Sequence, residues 1–160
     1  MDKKALIEQV VEKLQKEVTE LEESMMSMKQ AAIEAPGAMQ SHSDTTKFQM
    51  NALKDDVEKQ LSTKNKELEI LEKFGIMSAS SSKEIQSGSL VKIWDGEKEI
   101  NYLFLEGGSG IHIEDESGNK FIVVGESSPM GKVLAGKKVG DEIVTQFGSK
   151  ERSINIVDVW

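Results

Sequence analysis

The chain has no cysteine, two prolines and few aromatic residues, and each scarcity excludes something. Without cysteine there is neither a disulfide framework nor a thiolate metal site. That agrees with a reducing cytoplasm, the compartment expected here. No apolar run approaches the roughly 20 residues that a membrane-spanning helix needs. The chain opens Met-Asp-Lys-Lys and passes directly into a polar periodic segment. An apolar secretion signal is therefore not expected, nor is a membrane partner. Cationic surface is also short. Residues 1–75 carry 11 Lys against 15 acids, and residues 76–160 carry 9 Lys plus Arg against 13, so each half stands at −4 within a total of −8. A protein that binds nucleic acid through its phosphates needs cations to release counterions. Independent DNA binding is therefore not expected.

Heptad periodicity dominates the first half. Ile7, Val11, Leu14, Val18, Leu21, Met25, Met28 and Ala32 recur at alternating steps of four and three, with Lys and Glu between them. This is an a/d stripe sustained over more than three heptads, and it predicts a helix from about Lys3 to about Ala35. Pro36 and Gly37 break it. Residues 36–46 form a polar tip, in which Ser43, Asp44, Thr45 and Thr46 all suit the N-cap of a second helix. That helix is expected from about Thr46 to about Phe74, with Gly75 as its stop. Its stripe is Met50, Leu53 or Lys54, Val57, Leu61, Lys64, Leu68 and Leu71. Two helices of similar length and a short turn favour an antiparallel hairpin. About 28 residues at 1.5 Å each give an arm of roughly 40 Å. The stripe reports shape, not chemistry.

After the polar stretch 78–83 the period changes to that of strands. Six are expected: Leu90–Trp94, Ile100–Leu105, one near Ile111–Ile113, Lys120–Val124, Glu142–Phe147 and Ser153–Val157. Gly107-Gly-Ser-Gly110 reads as a hairpin loop; no helix follows it, as a phosphate cradle requires. A short helix begins at Pro129 and ends near Gly136. The expected organisation is a hairpin over 1–76, a linker over 77–84 and a small β-rich domain over 85–160.

The stretch Ser128-Pro-Met-Gly-Lys-Val-Leu-Ala-Gly-Lys-Lys-Val-Gly-Asp141 resembles the Ser-Pro-x-Gly-x-x-Leu-x-Gly-Lys-x-x-Gly-Asp signature of the GreA/GreB family of transcript cleavage factors, with every fixed position present. The hairpin before it matches that family's architecture. The resemblance implies an α+β protein with an FKBP-like C-terminal domain, working as a monomer on bacterial RNA polymerase. Ser127, Ser128, Pro129 and Met130 would contact the rim of the secondary channel, and the tip would approach the active site and the nascent RNA. Tip acids in that family help to hold a Mg²⁺ ion of the polymerase, a hard cation suited to carboxylate oxygens. If Phe48 stands where the family has a tyrosine, Asp44 falls on the second tip acid, Ser41 on the first, and Lys47 replaces a glutamate. Asp44 is thus the candidate catalytic and metal-binding acid, with Glu34 across the turn as its possible companion; Asp44 equally fits an N-cap. The family reading makes the chain a helper of the polymerase's own chemistry, with no cofactor of its own. Two other classes fit the outline: a peptidyl-prolyl isomerase or chaperone with an aromatic-lined pocket, and a coiled-coil adaptor that dimerises.

Overall fold

The structure is a computed structural model describing residues 2–34, 43–76, 83–147 and 150–160, without the side chains of 43–47, 75, 76, 147 and 150. It is α+β: two long helices, then a six-stranded sheet with one short helix. Helix α1 spans Lys3–Glu34 and α2 spans Ser43–Ile76. Asp44, Thr45 and Thr46 therefore lie inside the first turn of α2, not ahead of it. Gly75 is helical, so it is not the stop; loss of one side chain's packing does not interrupt a helix whose neighbours continue its hydrogen bonding. The proposed break at Pro36–Gly37 and residues 77–82 of the linker 77–84 lie outside the described residues.

Packing divides the chain into two units: Met1–Lys13 with Glu67–Trp160, and Leu14–Lys66. The sequence-based division follows chain order, whereas contacts assign the base of both helices to the sheet.

Within the unit Leu14–Lys66, α1 and α2 run antiparallel. Glu17 meets Lys64 at 2.5 Å, and Met28–Ile33 share a cleft with Met50–Lys54. Leu14, Val18 and Val57 are buried, and Leu21, Met25, Met28 and Leu61 half-buried, as the heptads require. Lys64, half-buried on the seam, has its ammonium paired with Glu17. Of the two readings at the second position of the α2 stripe, Lys54 is the more enclosed; Leu53 is exposed.

In the other unit the sheet order is β3-β4-β2-β1-β6-β5. The strands are β1 Leu90–Trp94, β2 Glu99–Leu105, β3 His112–Glu114, β4 Lys120–Gly125, β5 Glu142–Phe147 and β6 Lys150–Val159. All neighbours pair antiparallel except β2 with β4. Because β4 lies between β2 and β3, the loop through Gly107–Gly110 is a crossover and not a hairpin. Two buried strands cannot be joined in parallel by a two-residue turn, so the chain needs this longer path.

Both faces of the sheet are buried, which explains the uninterrupted apolar runs at 102–105 and 121–124. One face gathers Val91, Ile93, Tyr102, Phe104, Val124, Ile143, Ile154 and Ile156 around Leu134 of helix α3, Pro129–Leu134. Alternation puts Leu90, Leu103, Leu105 and Val123, all at most 1% exposed, on the other. There the helix bases close in: Val10 and Leu71 reach Gly108, Gln9 bonds both backbone groups of Glu114, and Lys13 donates to the carbonyl of His112. This is why Val10, with Leu6 and Ile7, is buried while Val11 is only half-buried: a second surface, the sheet, now competes with the heptad for the helix. The same contacts shelter β3, an edge strand.

Candidate functional site

The signature residues converge on α3 and its two flanking turns. Strand β4 ends at Gly125, and the chain turns through Glu126 and Ser127 to Ser128. Ser128 is the N-cap: its Oγ accepts from Gly131 N at 3.0 Å and donates to Gly125 O at 2.7 Å. Pro129 occupies the first helical position, where its missing N–H costs nothing. Gly131 lies so close to the end of β4 that a Cβ there would stand 1.9 Å from Gly125 O. Leu134 anchors the helix in the core. Gly136 and Gly140 take φ of +71° and +90°. Between them Lys137 O accepts from Ile85 N, and the Asp141 carboxylate accepts from Lys138 N at 2.9 Å. Beside this turn Lys138 and Glu84 form a 2.8 Å ion pair, which raises the lysine's pKa.

Nearly every fixed residue of the signature thus serves the scaffold, by capping, close approach, anchoring or turning. Along this stretch Lys132, Lys137, Lys138 and Val139 are exposed; at its head Ser127 and Pro129 are exposed, and Ser128 and Met130 half-buried. The last four are the residues singled out by resemblance, and the structure puts them in one turn and one helical start. Ser128→Ala removes the cap and leaves the Gly131 amide without its partner, so the domain is expected to lose about 1 kcal/mol. Urea unfolding measures this, and it should leave the m-value unchanged.

Met130 also borders a cleft of about 330 Å³ whose other lining residues are Ile93, Asp95, Glu97, Lys98, Ile100, Tyr102, Arg152 and Ile154. Four elements and the turn between β1 and β2 supply them. Asp95 Oδ1 accepts from the amides of Glu97 and Lys98 at 3.0 and 2.9 Å, and Oδ2 faces Arg152 at 3.7 Å. The two amides first, and then Arg152, hold the Asp95 carboxyl below its ordinary pKa. Burial, aided by the charge of Asp95, raises the pKa of the Tyr102 phenol. Sequence reading did not find this cleft. Its residues are far apart in the sequence; pairing of β1 with both β2 and β6 is what brings Arg152 to Asp95 and Tyr102.

At the hairpin, Glu34 is the last residue of α1; it is exposed and accepts from Gln30 Nε2 at 2.5 Å. The backbone of Asp44 is helical, but its side chain, with Ser41, His42 and Lys47, lies outside the described residues, as does any meeting of Asp44 with Glu34. Phe48 is 75% exposed, one helical turn further along α2. Among the described residues no group of three or more His, Asp or Glu is placed to hold a metal, and no helix is long and apolar enough to cross a membrane.

Fold and sites define a class: a helical hairpin joined to a six-stranded sheet domain whose α3 segment is presented outward. Among solved structures, the chain is similar to GreA factor homolog 1 (Gfh1) of Thermus thermophilus, with 16% identity, 96% of this chain and 94% of that one covered, and a TM-score of 0.37. It is similar also to Gfh1 of Thermus aquaticus (15% identity, 92% of each chain, TM-score 0.40) and to another structure of the transcription factor Gfh1 (17%, 93% and 92%, 0.40). No family model and no curated protein matches the chain.

Proposed function

We propose that this protein is a transcription factor that binds bacterial RNA polymerase through Ser127–Met130, with the hairpin tip acting at the secondary channel. The observation that carries this reading is the division of labour within the signature. Gly131, Leu134, Gly136, Gly140 and Asp141 build a rigid support, while Ser127, Pro129 and Met130 are held outward on it, where a partner can touch them. Side chains locked by packing and capping lose little freedom on binding, which favours a docking role.

At the tip the chemistry differs from that of a two-acid cleavage factor. Ser41 offers a hydroxyl where a paired carboxylate would stand, and Asp44 alone supplies one charge toward a polymerase-held Mg²⁺. Modulation of initiation or elongation by occupying the channel is therefore favoured over stimulated RNA cleavage. In either case the metal and the reaction belong to the polymerase; the chain is a cytoplasmic monomer, not an enzyme, and needs no cofactor. The isomerase reading calls for an aromatic-lined pocket, and the cleft beside Met130 has Tyr102 as its single aromatic among the described residues.

The test uses stalled, backtracked elongation complexes with Mg²⁺ and follows shortening of the RNA 3′ end. Wild-type protein is expected to change pausing with little cleavage, and Asp44→Ala to behave the same. Strong cleavage that disappears in Asp44→Ala would make Asp44 a working metal ligand and replace modulation by cleavage stimulation.

A further inference from the structure

The hairpin does not close its seam over the last turns of α1. Ala32 is the smallest side chain of the heptad stripe and stands exposed; on α2 the more enclosed residue is Lys54, while Leu53 is turned out at 53% exposure. A cleft of about 350 Å³ remains between the helices, with apolar lining from Met28, Ala32, Ile33, Met50 and Leu53. Ile33 is 78% exposed, so this apolar surface is open and not a piece of core. A contiguous apolar patch of this kind marks an interaction site or a ligand groove. The polar members of the lining are Lys29, Asn51 and Lys54; among the described residues no carboxylate lines it, in a chain with 28 acids against 20 bases. Lys29 has no ion pair among the described residues. Lys54 lies 3.6 Å from Glu58 in a pair exposed on both sides, which holds little energy and yields to a better partner.

Two ammonium groups select an anion, and the surface between them selects a hydrocarbon. Inorganic phosphate would engage the lysines and leave the apolar lining wet. A neutral alkyl chain would cover the lining and leave the lysines unanswered. A polyanion such as nucleic acid meets a chain of net charge −8. Size narrows the choice further. From Met28 to Ile33 the helix rises about 8 Å. The volume stands at the low end of the roughly 300–1,000 Å³ of small-molecule sites. An alkyl chain of medium length that ends in a carboxylate has this size and both properties. Met28 and Met50, unbranched and adaptable, suit a flexible chain of no fixed shape.

We propose that this cleft binds a single-chain fatty acid, its hydrocarbon covering Met28, Ile33, Met50 and Leu53 and its carboxylate pairing with Lys29 and Lys54. The site lies wholly on the hairpin and stands independently of polymerase binding. Because both helices line the cleft, an occupant bound only by the folded hairpin ties them together and stabilises them by mass action.

The experiment titrates the full chain, carrying isotope-labelled methionine methyl groups, with decanoate below its micelle concentration. Decanol and decyltrimethylammonium serve as neutral and cationic controls on the same alkyl chain, and Met28→Leu, Met50→Leu and Met130→Leu assign the methyl signals. Decanoate is expected to shift the Met28 and Met50 signals saturably and to leave in place that of Met130, beside a cleft lined by Asp95 and Glu97. Decanol should bind about tenfold more weakly, the loss expected when charge-assisted hydrogen bonds are removed, and the cation not at all. Lys29→Glu and Leu53→Asp, both at exposed positions, should each weaken decanoate by about tenfold while circular dichroism shows the helices retained. Equal binding of all three probes, unchanged affinity in both variants, or shifts that extend to Met130 overturn the assignment. An unshifted Met28 and Met50 overturn it as well, with two replacements: co-sedimentation with phosphatidylglycerol vesicles would make the face a lipid-surface contact, and a wild-type dimer that Leu53→Asp dissociates would make it a contact between two copies.

Discussion

Gly131→Ala is expected to destabilise the sheet domain by about 3 kcal/mol, the upper part of the range for overpacking, which lowers the melting temperature of a chain this size by about 6–12 °C. The added methyl would sit 1.9 Å from Gly125 O, 2.8 Å from Gly125 C and 3.0 Å from Glu126 Cα. All three are backbone atoms at the end of β4, so no rotamer change relieves the clash; the strand end or the helix must move. Moving either disturbs the Ser128 cap, whose oxygen bridges Gly131 N and Gly125 O. The helical propensity gained by alanine, about 1 kcal/mol over glycine, is too small to offset this. Thermal unfolding followed by circular dichroism measures the effect. Polymerase binding should weaken more than stability alone accounts for, because Pro129 and Met130 shift with the helix. A Gly131→Ala protein as stable as wild type would mean that β4 and α3 approach less closely than described.

Gly108→Ala is expected to cost about 2–4 kcal/mol, from two separable causes. The residue has φ +74°, a left-handed conformation that costs an L side chain about 1–2 kcal/mol. Its Cβ would also stand 2.9 Å from Val10 Cγ1, with Ile111 and Leu71 at 3.5 Å. Val10 is fully buried and β-branched, so its rotamer is restricted and it yields poorly. A double-mutant cycle separates the causes. Val10→Ala removes the obstructing methyl, so the pair should be less destabilised than the sum of the single changes by about 1 kcal/mol. Strict additivity would leave backbone strain as the whole effect. The same cycle probes how the helix base is joined to the sheet, since Gly108 N also donates to Glu67 Oε2 at 3.0 Å.

Much of this architecture was legible in the sequence, for reasons tied to period. The heptads of α1 ended within one residue of Glu34, and strands β1 and β5 and helix α3 fell on their expected residues, because apolar spacing and a proline start leave little latitude. Three readings failed where long-range packing overrode local signals. Gly75 looked like a stop but continues α2. Val11 fits the heptad but Val10 is the buried residue, because the sheet covers a different stripe at the helix base. The Gly107–Gly110 glycines suggested a hairpin, whereas Gly107 and Gly108 make room for Glu67 and Val10 beneath a crossover. The Ser128–Asp141 signature was found by resemblance; its physical reason, a helix start pressed against a strand end, required coordinates. The cleft had no local signature, since its residues become neighbours only through strand order. The tip acids remain a sequence argument, because the side chain of Asp44 lies outside the described residues.

The claim on which the functional account rests is that this chain, as a monomer, binds polymerase through the α3 segment. Analytical sedimentation of the protein alone, of core polymerase with wild type, and of core polymerase with Pro129→Glu tests it directly. Alone, the protein is expected to sediment at its monomer mass of 17.7 kDa. With polymerase, wild type should co-sediment one to one, and Pro129→Glu, a change on an exposed position, should not. A chain that sediments as a dimer and leaves polymerase untouched would contradict the account and favour a coiled-coil adaptor.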